Sequence, residues 1–254
     1  MDSRATPGNV LTTALATLCG NLYLVVGSLV YGAGTGLLGL FLPRDEVFHR
    51  MGRGWGSTCL WAGGIRFSAR FEEDLSGVGR CIFMPNHQSL YDIPLLLATL
   101  PSATRFLAKK SLFRIPVFSW ALRTGGFIPV ERGATRQARE AFQQALAGLG
   151  EGVSILIFPE ETRTTDGRLL PFKRGGYLMA LRSGLPIVPV GIRGNFAVRP
   201  KGSWTIRPGR VEVHYGRPVR SDAYGVRNMG DFIDTIRDEV ARLAGLEESH
   251  SNGE

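Results

Sequence analysis

The segment Asn86-His87-Gln88-Ser89-Leu90-Tyr91-Asp92 sets a histidine five residues ahead of a carboxylate. Along a straight helix five residues turn through about 500°, which would put the two on different faces. They meet only if His87 sits in a strand-to-helix turn and Asp92 lies near the helix start, a start that Pro94 favours. Asp92 then accepts a hydrogen bond from one imidazole nitrogen and fixes the tautomer, leaving the other nitrogen to take a proton. A histidine with an ordinary pKa of about 6.5 suits general-base work at neutral pH. Read alone, the pair serves equally as a polar turn residue and a helix cap.

Two arginines occupy comparable positions. Gly126-Phe127-Ile128-Pro129-Val130-Glu131-Arg132 and Phe158-Pro159-Glu160-Glu161-Thr162-Arg163 each carry an arginine just past an apolar run. Arginine binds planar oxyanions through two parallel hydrogen bonds, so two of them near a histidine describe a phosphate pocket. There is no Gly-x-Ser-x-Gly elbow, no cysteine placed with a histidine, and no metal-ligand spacing. No metal or resident cofactor is expected, and His87 would activate a hydroxyl of the substrate.

These groups need a scaffold. The runs 81–85, 105–108, 127–130, 153–158 and 186–190 read as buried strands. Residues 94–100, 111–123, 134–149, 174–183 and 231–243 read as helices. Alternation of this kind predicts an α/β fold, a mostly parallel central sheet covered by helices on both faces. In open sheets of this class ligands gather at the carboxyl ends of strands, where His87, Arg132 and Arg163 all fall. Residues 203–206 and 211–215, flanking Pro208-Gly209, read as a late hairpin.

The 254 residues carry 30 Lys and Arg against 22 Asp and Glu, a net charge of +8, yet residues 5–43 hold no charge at all. A hydrophobic content of 44% excludes a disordered chain, and three scattered cysteines exclude a disulfide scaffold and fit reduced thiols. Confinement of the charge-free stretch to one end argues against a polytopic transporter. Residues 10–42 are long enough for one membrane span with slack, or for two short helices that enter and return. Gly27, Gly32, Gly34, Gly36 and Gly39 favour a break or close helix packing. A weakly basic start and an overlong apolar run disfavour a cleaved signal peptide. Arg44, Arg50 and Arg53 follow, interleaved with Val47, Phe48, Met51 and Trp55. That pattern fits either a helix lying in the membrane interface or one packed on the domain. The positive flank points to the cytoplasmic face. The reading divides the chain into residues 1–62, an N-terminal apolar membrane-associated helical segment, and residues 63–254, the α/β domain. Nucleic acid is not the expected partner, because the basic residues show no aromatic-interleaved motif.

The ordered motifs resemble the glycerolipid acyltransferase family, whose best-known members are the 1-acyl-glycerol-3-phosphate acyltransferases. Asn86-His87-x4-Asp92 is similar to the family's first block, Gly126 to Arg132 to the second, and Phe158-Pro159-Glu160 with Thr162-Arg163 to the third. Leu185 to Val190 resembles the fourth, apolar block, and Lys109-Lys110 the basic stretch after the first motif helix. The resemblance covers about residues 80–200. It implies that His87, oriented by Asp92, deprotonates the free hydroxyl of a lysophospholipid. The alkoxide then attacks an acyl thioester, with acyl-CoA or acyl-carrier protein as co-substrate and an anionic membrane surface as the setting. It further implies that Arg132, Arg163 and Lys109 hold the acceptor phosphate with Thr162 nearby, that Glu160 binds a glycerol hydroxyl or organises those cations, and that the block around Pro189 shapes the floor. Other readings are a different lysophospholipid or a lyso-aminolipid acceptor, and a non-catalytic membrane lipid-binding protein. One departure stands out: where the third block usually has glycine, this chain has Glu161. A backbone needing positive φ there would resist the change, and a second carboxylate beside Glu160 would reshape the acceptor pocket.

Overall fold

A computed structural model describes residues 9–246 apart from 115, 125, 131–142, 144–149, 151 and 226. The helix expected over 134–149 and the site residue Arg132 therefore lie outside the described residues. The described chain opens with α1 (Val10–Leu38) and α2 (Arg44–Ala62), followed by β1 (Ile65–Phe71), β2 (Ile82–Pro85) and α3 (Asp92–Thr99). Next come β3 (Thr104–Lys109), α4 (Pro116–Thr124), β4 (Ile128–Val130), β5 (Ser154–Leu156) and α5 (Arg174–Ser183). It closes with β6 (Ile187–Arg193), a short α6 (Asn195–Val198), β7 (Gly209–Tyr215) and α7 (Met229–Ala244).

The seven strands form one sheet in the order β1-β7-β6-β2-β5-β3-β4. All neighbours run parallel except β6 and β7. Strand alternation divides the core. On β2, Phe83 joins a cluster with Leu95 and Leu96 of α3 and Leu60 of α2, while Ile82 and Met84 face Tyr177 of α5 and Phe232 of α7. Each such large apolar side chain contributes about 1.5–3 kcal/mol by leaving water. Sandwiching on both faces explains why the central strands read as unbroken apolar runs.

One expectation fails, and one strand went unread. Residues 203–206 form no strand, so there is no late hairpin. That segment runs under α1 instead: Ile206 is buried, its N–H donates to Thr17 Oγ1 at 3.0 Å, and Thr17 donates to its carbonyl at 3.3 Å. Its backbone bonds go to a helix side chain, and β7 finds its partners in β6 and β1. The edge strand β1 went unread because its mostly exposed face carries Arg66, Ser68 and Arg70, without an apolar run.

The N-terminal segment is one unbroken helix of 29 residues, about 43 Å long. Its glycines serve close packing. A Cβ on Gly20 would lie 2.7 Å from Ile206 Cδ1 and from Tyr91 Oη. The helix is long and apolar enough to cross a membrane, but one side is docked on the domain from Thr17 beside Ile206 to Gly36 beside Thr124. The other side exposes Val10, Leu15, Leu18, Leu22, Val25 and Val30. The second helix is packed on the domain: Val47 and Phe48 are buried, and Gly56 approaches α3 so closely that a Cβ would sit 2.3 Å from Pro94 O.

Candidate active site

His87 lies in the turn leaving β2, and Asp92 is the first residue of α3, the arrangement its spacing demanded. His87 Nδ1 is 2.7 Å from Asp92 Oδ2. Opposite a carboxylate, Nδ1 carries the proton, so Nε2 across the ring is the basic nitrogen. Asp92 is fully buried and is held from several sides. Its Oδ2 also accepts from the N–H groups of Gln88 and Ser89 at 2.8 and 2.9 Å. Its Oδ1 accepts from Asn195 Nδ2 at 2.5 Å. A buried carboxylate with this many donors keeps its place without a cation.

The ring of His87 stacks on Phe158, with centroids 3.8 Å apart and planes 22° from parallel. Its backbone N–H donates to Glu160 Oε1 at 2.6 Å, and its carbonyl accepts from Thr164 N–H at 3.0 Å. The loop after β5 thus crosses the end of β2 and clamps the histidine from both backbone sides. Glu160 takes a further N–H, from Leu170 at 2.8 Å, on Oε2. Both its oxygens accept from backbone, so Glu160 organises the loop in this structure, and no ion pair joins it to a motif cation among the described residues. Burial pushes its carboxyl up to about 7, against the two backbone donors, which favour the ionised form.

The neighbouring Glu161 sits at φ 58°, the one non-glycine residue with positive φ among the described residues. The expected resistance to a side chain there did not decide the outcome. The backbone keeps the left-handed conformation that glycine adopts freely, and Glu161 bears the strain.

Thr162 Oγ1 and the Arg163 carbonyl both accept from Lys201 Nζ, each at 3.1 Å. Lys109 is exposed at the end of β3, in register with Val130 at the end of β4, two residues before Arg132. Pro189 is buried in β6 beside Met84 of β2. The structure therefore bonds His87 to Asp92 and Glu160, carries Thr162 and Arg163 on the same loop as Glu160 with Lys201 bonded to both, and leaves Lys109 on the β3 flank. Cys59 and Cys81 are buried, and burial pushes their thiols up to about 12 and about 11, so neither offers a ready thiolate.

Sequence reading missed two contributors, Asn195 and Lys201, and gave Asn86 of the first motif no role of its own. Asn195 orients Asp92 from across the sheet, and its only sequence signal is its place just past the end of β6. Asn86 joins β2 to β6: it donates to Ile192 O at 3.1 Å and accepts from Ile192 N–H at 2.7 Å. Lys201, one of only four lysines, had no motif to announce it.

A family model described as Acyltransferase matches residues 66–193. The chain is 34% identical over 212 residues to a chloroplastic 1-acyl-sn-glycerol-3-phosphate acyltransferase of Brassica napus, covering 80% of this chain and 58% of that protein. It is 31% identical over 208 residues to a 1-acyl-sn-glycerol-3-phosphate acyltransferase of Limnanthes douglasii, covering 80% of this chain and 73% of the relative. Among solved structures, the crystal structure of the 1-acyl-sn-glycerophosphate (LPA) acyltransferase PlsC from Thermotoga maritima superposes with a TM-score of 0.79 at 27% identity. That match covers 96% of this chain and 98% of the other.

Proposed function

The chain belongs to the acyltransferase family, and from that premise we propose that it moves a fatty acyl group from an acyl thioester to the free hydroxyl of 1-acyl-glycerol-3-phosphate. The product is phosphatidic acid, for phospholipid biosynthesis. The observation that carries the reading is the 2.7 Å contact between His87 Nδ1 and Asp92 Oδ2, which makes Nε2 the base.

The chemistry follows from that tautomer. Nε2 takes the proton of the acceptor hydroxyl as its oxygen attacks the thioester carbonyl, and Asp92 stabilises the imidazolium that forms. The tetrahedral intermediate collapses by breaking the carbon–sulfur bond. His87 returns the proton to the departing thiolate, so no acyl-enzyme forms and the base is regenerated. Stacking on Phe158 and the clamps at His87 N–H and carbonyl keep the ring from turning. Such preorganisation costs nothing further when the reaction occurs. Arg163, with Lys109 from the β3 flank and Arg132 of the second motif, supplies positive charge for the acceptor phosphate.

The donor is acyl-CoA or an acyl-carrier protein, since either presents the thioester. Residues 1–62 act as the membrane contact and 63–254 as the catalytic domain. The outer face of α1 supports this, because it exposes aliphatic side chains while its inner face is docked along the domain. Contact along the helix length favours α1 lying at the bilayer surface, where a lysolipid acceptor would enter. The basic residues that follow α1 favour the cytoplasmic face.

An acyl-transfer assay with purified protein and a panel of lysolipids tests the reading. Lysophosphatidate is expected to be the preferred acceptor, and His87→Ala is expected to lower turnover by a factor on the order of 10²–10⁴ while the fold is kept. Near-normal turnover in that variant, or preference for an acceptor without a phosphate monoester, would overturn it.

A further inference from the structure

The β6 flank of His87 carries a group of cations that the mechanism above leaves without a task. Arg199 closes α6 and is only 6% exposed. Its Nε donates to Ser203 O at 3.0 Å and its Cζ lies 5.8 Å from the centre of the Trp204 ring, but its Nη1 is buried with no hydrogen-bond partner among the described residues. No salt bridge to Arg199 is found among the described residues. Two residues on, Lys201 reaches back to Thr162 Oγ1 and the Arg163 carbonyl, both neutral acceptors. Lys201 thus ties down the Arg163 backbone, and the Arg163 charge is felt at Arg199. Burial chiefly lowers the Arg199 pKa; Tyr91 opposes this, and Arg163 lowers it by less than Tyr91 raises it.

Gathering like charges and burying one of them is costly unless an anion is received there. The group is also tied to the reacting loop, because the Arg199 carbonyl accepts from Ser89 Oγ at 2.9 Å, between His87 and Asp92 in sequence. Lys109 lies on the other flank, at the end of β3, three strand spacings or about 14 Å from β6.

We propose that Arg199 and Lys201 form a phosphate-binding subsite on the β6 side of His87, distinct from the site that Lys109 serves at the end of β3. The subsite rests on the acyl-transfer reading, in which both substrates carry phosphate: the acceptor as a monoester, the donor as a diester or diphosphate near its thiol arm. A two-substrate site with the base in the middle needs an anion anchor on each side. Trp204, exposed beside Arg199, gives this subsite an apolar wall.

The test uses the full chain and the variants Lys201→Met, Lys201→Arg and Arg199→Gln, each checked for folding by circular dichroism. Steady-state kinetics are measured with lysophosphatidate and acyl-CoA, then with an acyl-pantetheine thioester that lacks the donor phosphates. Lys201→Met is expected to raise KM for one substrate at least about 5-fold more than it lowers kcat, and Lys201→Arg to restore most of it. A rise in the lysophosphatidate KM assigns the subsite to the acceptor. A rise in the acyl-CoA KM, absent with acyl-pantetheine, assigns it to the donor. Independently of turnover, inorganic phosphate should raise the Tm of the wild type more than that of Lys201→Met or Arg199→Gln. Unchanged KM values together with an unchanged phosphate-induced Tm shift in the folded variants overturn the subsite. Absence of transfer by the wild type overturns the acyl-transfer reading instead, and the Tm measurement still decides the subsite.

Discussion

The loop after β2 and the loop after β5 leave adjacent strands, yet they hold their functional groups in opposite ways. The first buries Asp92 completely, gives it donors from His87, Gln88, Ser89 and Asn195, and has no residue at positive φ. The second keeps Glu160 buried on two backbone donors against a burial cost that lifts its pKa to about 7, and sets Glu161 in left-handed backbone. A reacting base needs one tautomer and one orientation, which a saturated hydrogen-bond network supplies. A loop that must cross a neighbouring strand end has fewer conformations to choose from, and here it reaches that end at the cost of strain.

The largest test of this contrast is Asp92→Asn. An amide cannot accept from Nδ1–H and from two backbone N–H groups as the carboxylate does, so kcat should fall by a factor on the order of 10²–10⁴. A loss of only a few-fold would mean that Phe158 and the backbone clamps fix the ring without Asp92.

Glu160 gives the next effect, and its sign is definite. A carboxyl whose folded pKa is raised from 4.5 to about 7 binds its proton more tightly in the folded state. Its contribution to stability is full below about 4.5 and is lost as pH rises through about 7, amounting to about 3 kcal/mol at 1.36 kcal/mol per unit. Denaturant unfolding of the wild type and of Glu160→Gln between pH 4.5 and 7.5 should show the wild type losing that much relative to the variant. A constant difference would show that the His87 and Leu170 donors keep the carboxylate ionised throughout.

Asn195→Ala removes one charge-assisted donor from Asp92 and should cost about 1.5–3 kcal/mol in unfolding free energy, with a drop in kcat. If stability falls and kcat does not, Asn195 supports the fold without orienting the base. Glu161→Gly is the smallest change and has the opposite sign. Relief of the left-handed strain should raise stability by about 1 kcal/mol, read as a higher Tm, after part of the gain is lost to the freer unfolded chain. A lower Tm would mean that the Glu161 carboxylate stabilises the loop more than its backbone strains it.

The central strands were legible because burial on both faces leaves unbroken apolar runs, and α5 and α7 because one face of each is apolar. The edge strand β1 was not, since an exposed edge tolerates arginine and serine. The stretch 203–206 misled for a related reason: short and turn-flanked, it has the composition of a strand, and its fate depended on α1 arriving to take its backbone bonds. At the site, His87, Asp92 and the Glu160–Arg163 loop were readable from spacing. Asn195 was not, because it reaches Asp92 across 103 residues of sequence.

By itself the sequence determined the alternating α/β pattern, the one geometry in which His87 could meet Asp92, and the separation of a charge-free segment from a basic domain. These follow from local periodicity and local spacing, which the backbone enforces within a few residues. Only the tertiary structure decided that α1 lies docked along the domain, that Glu160 spends both oxygens on backbone, that Glu161 occupies a glycine conformation, and that Arg199 and Lys201 gather beside Arg163. Each of those depends on which strand ends and helices become neighbours, and that is fixed by burial of the whole core.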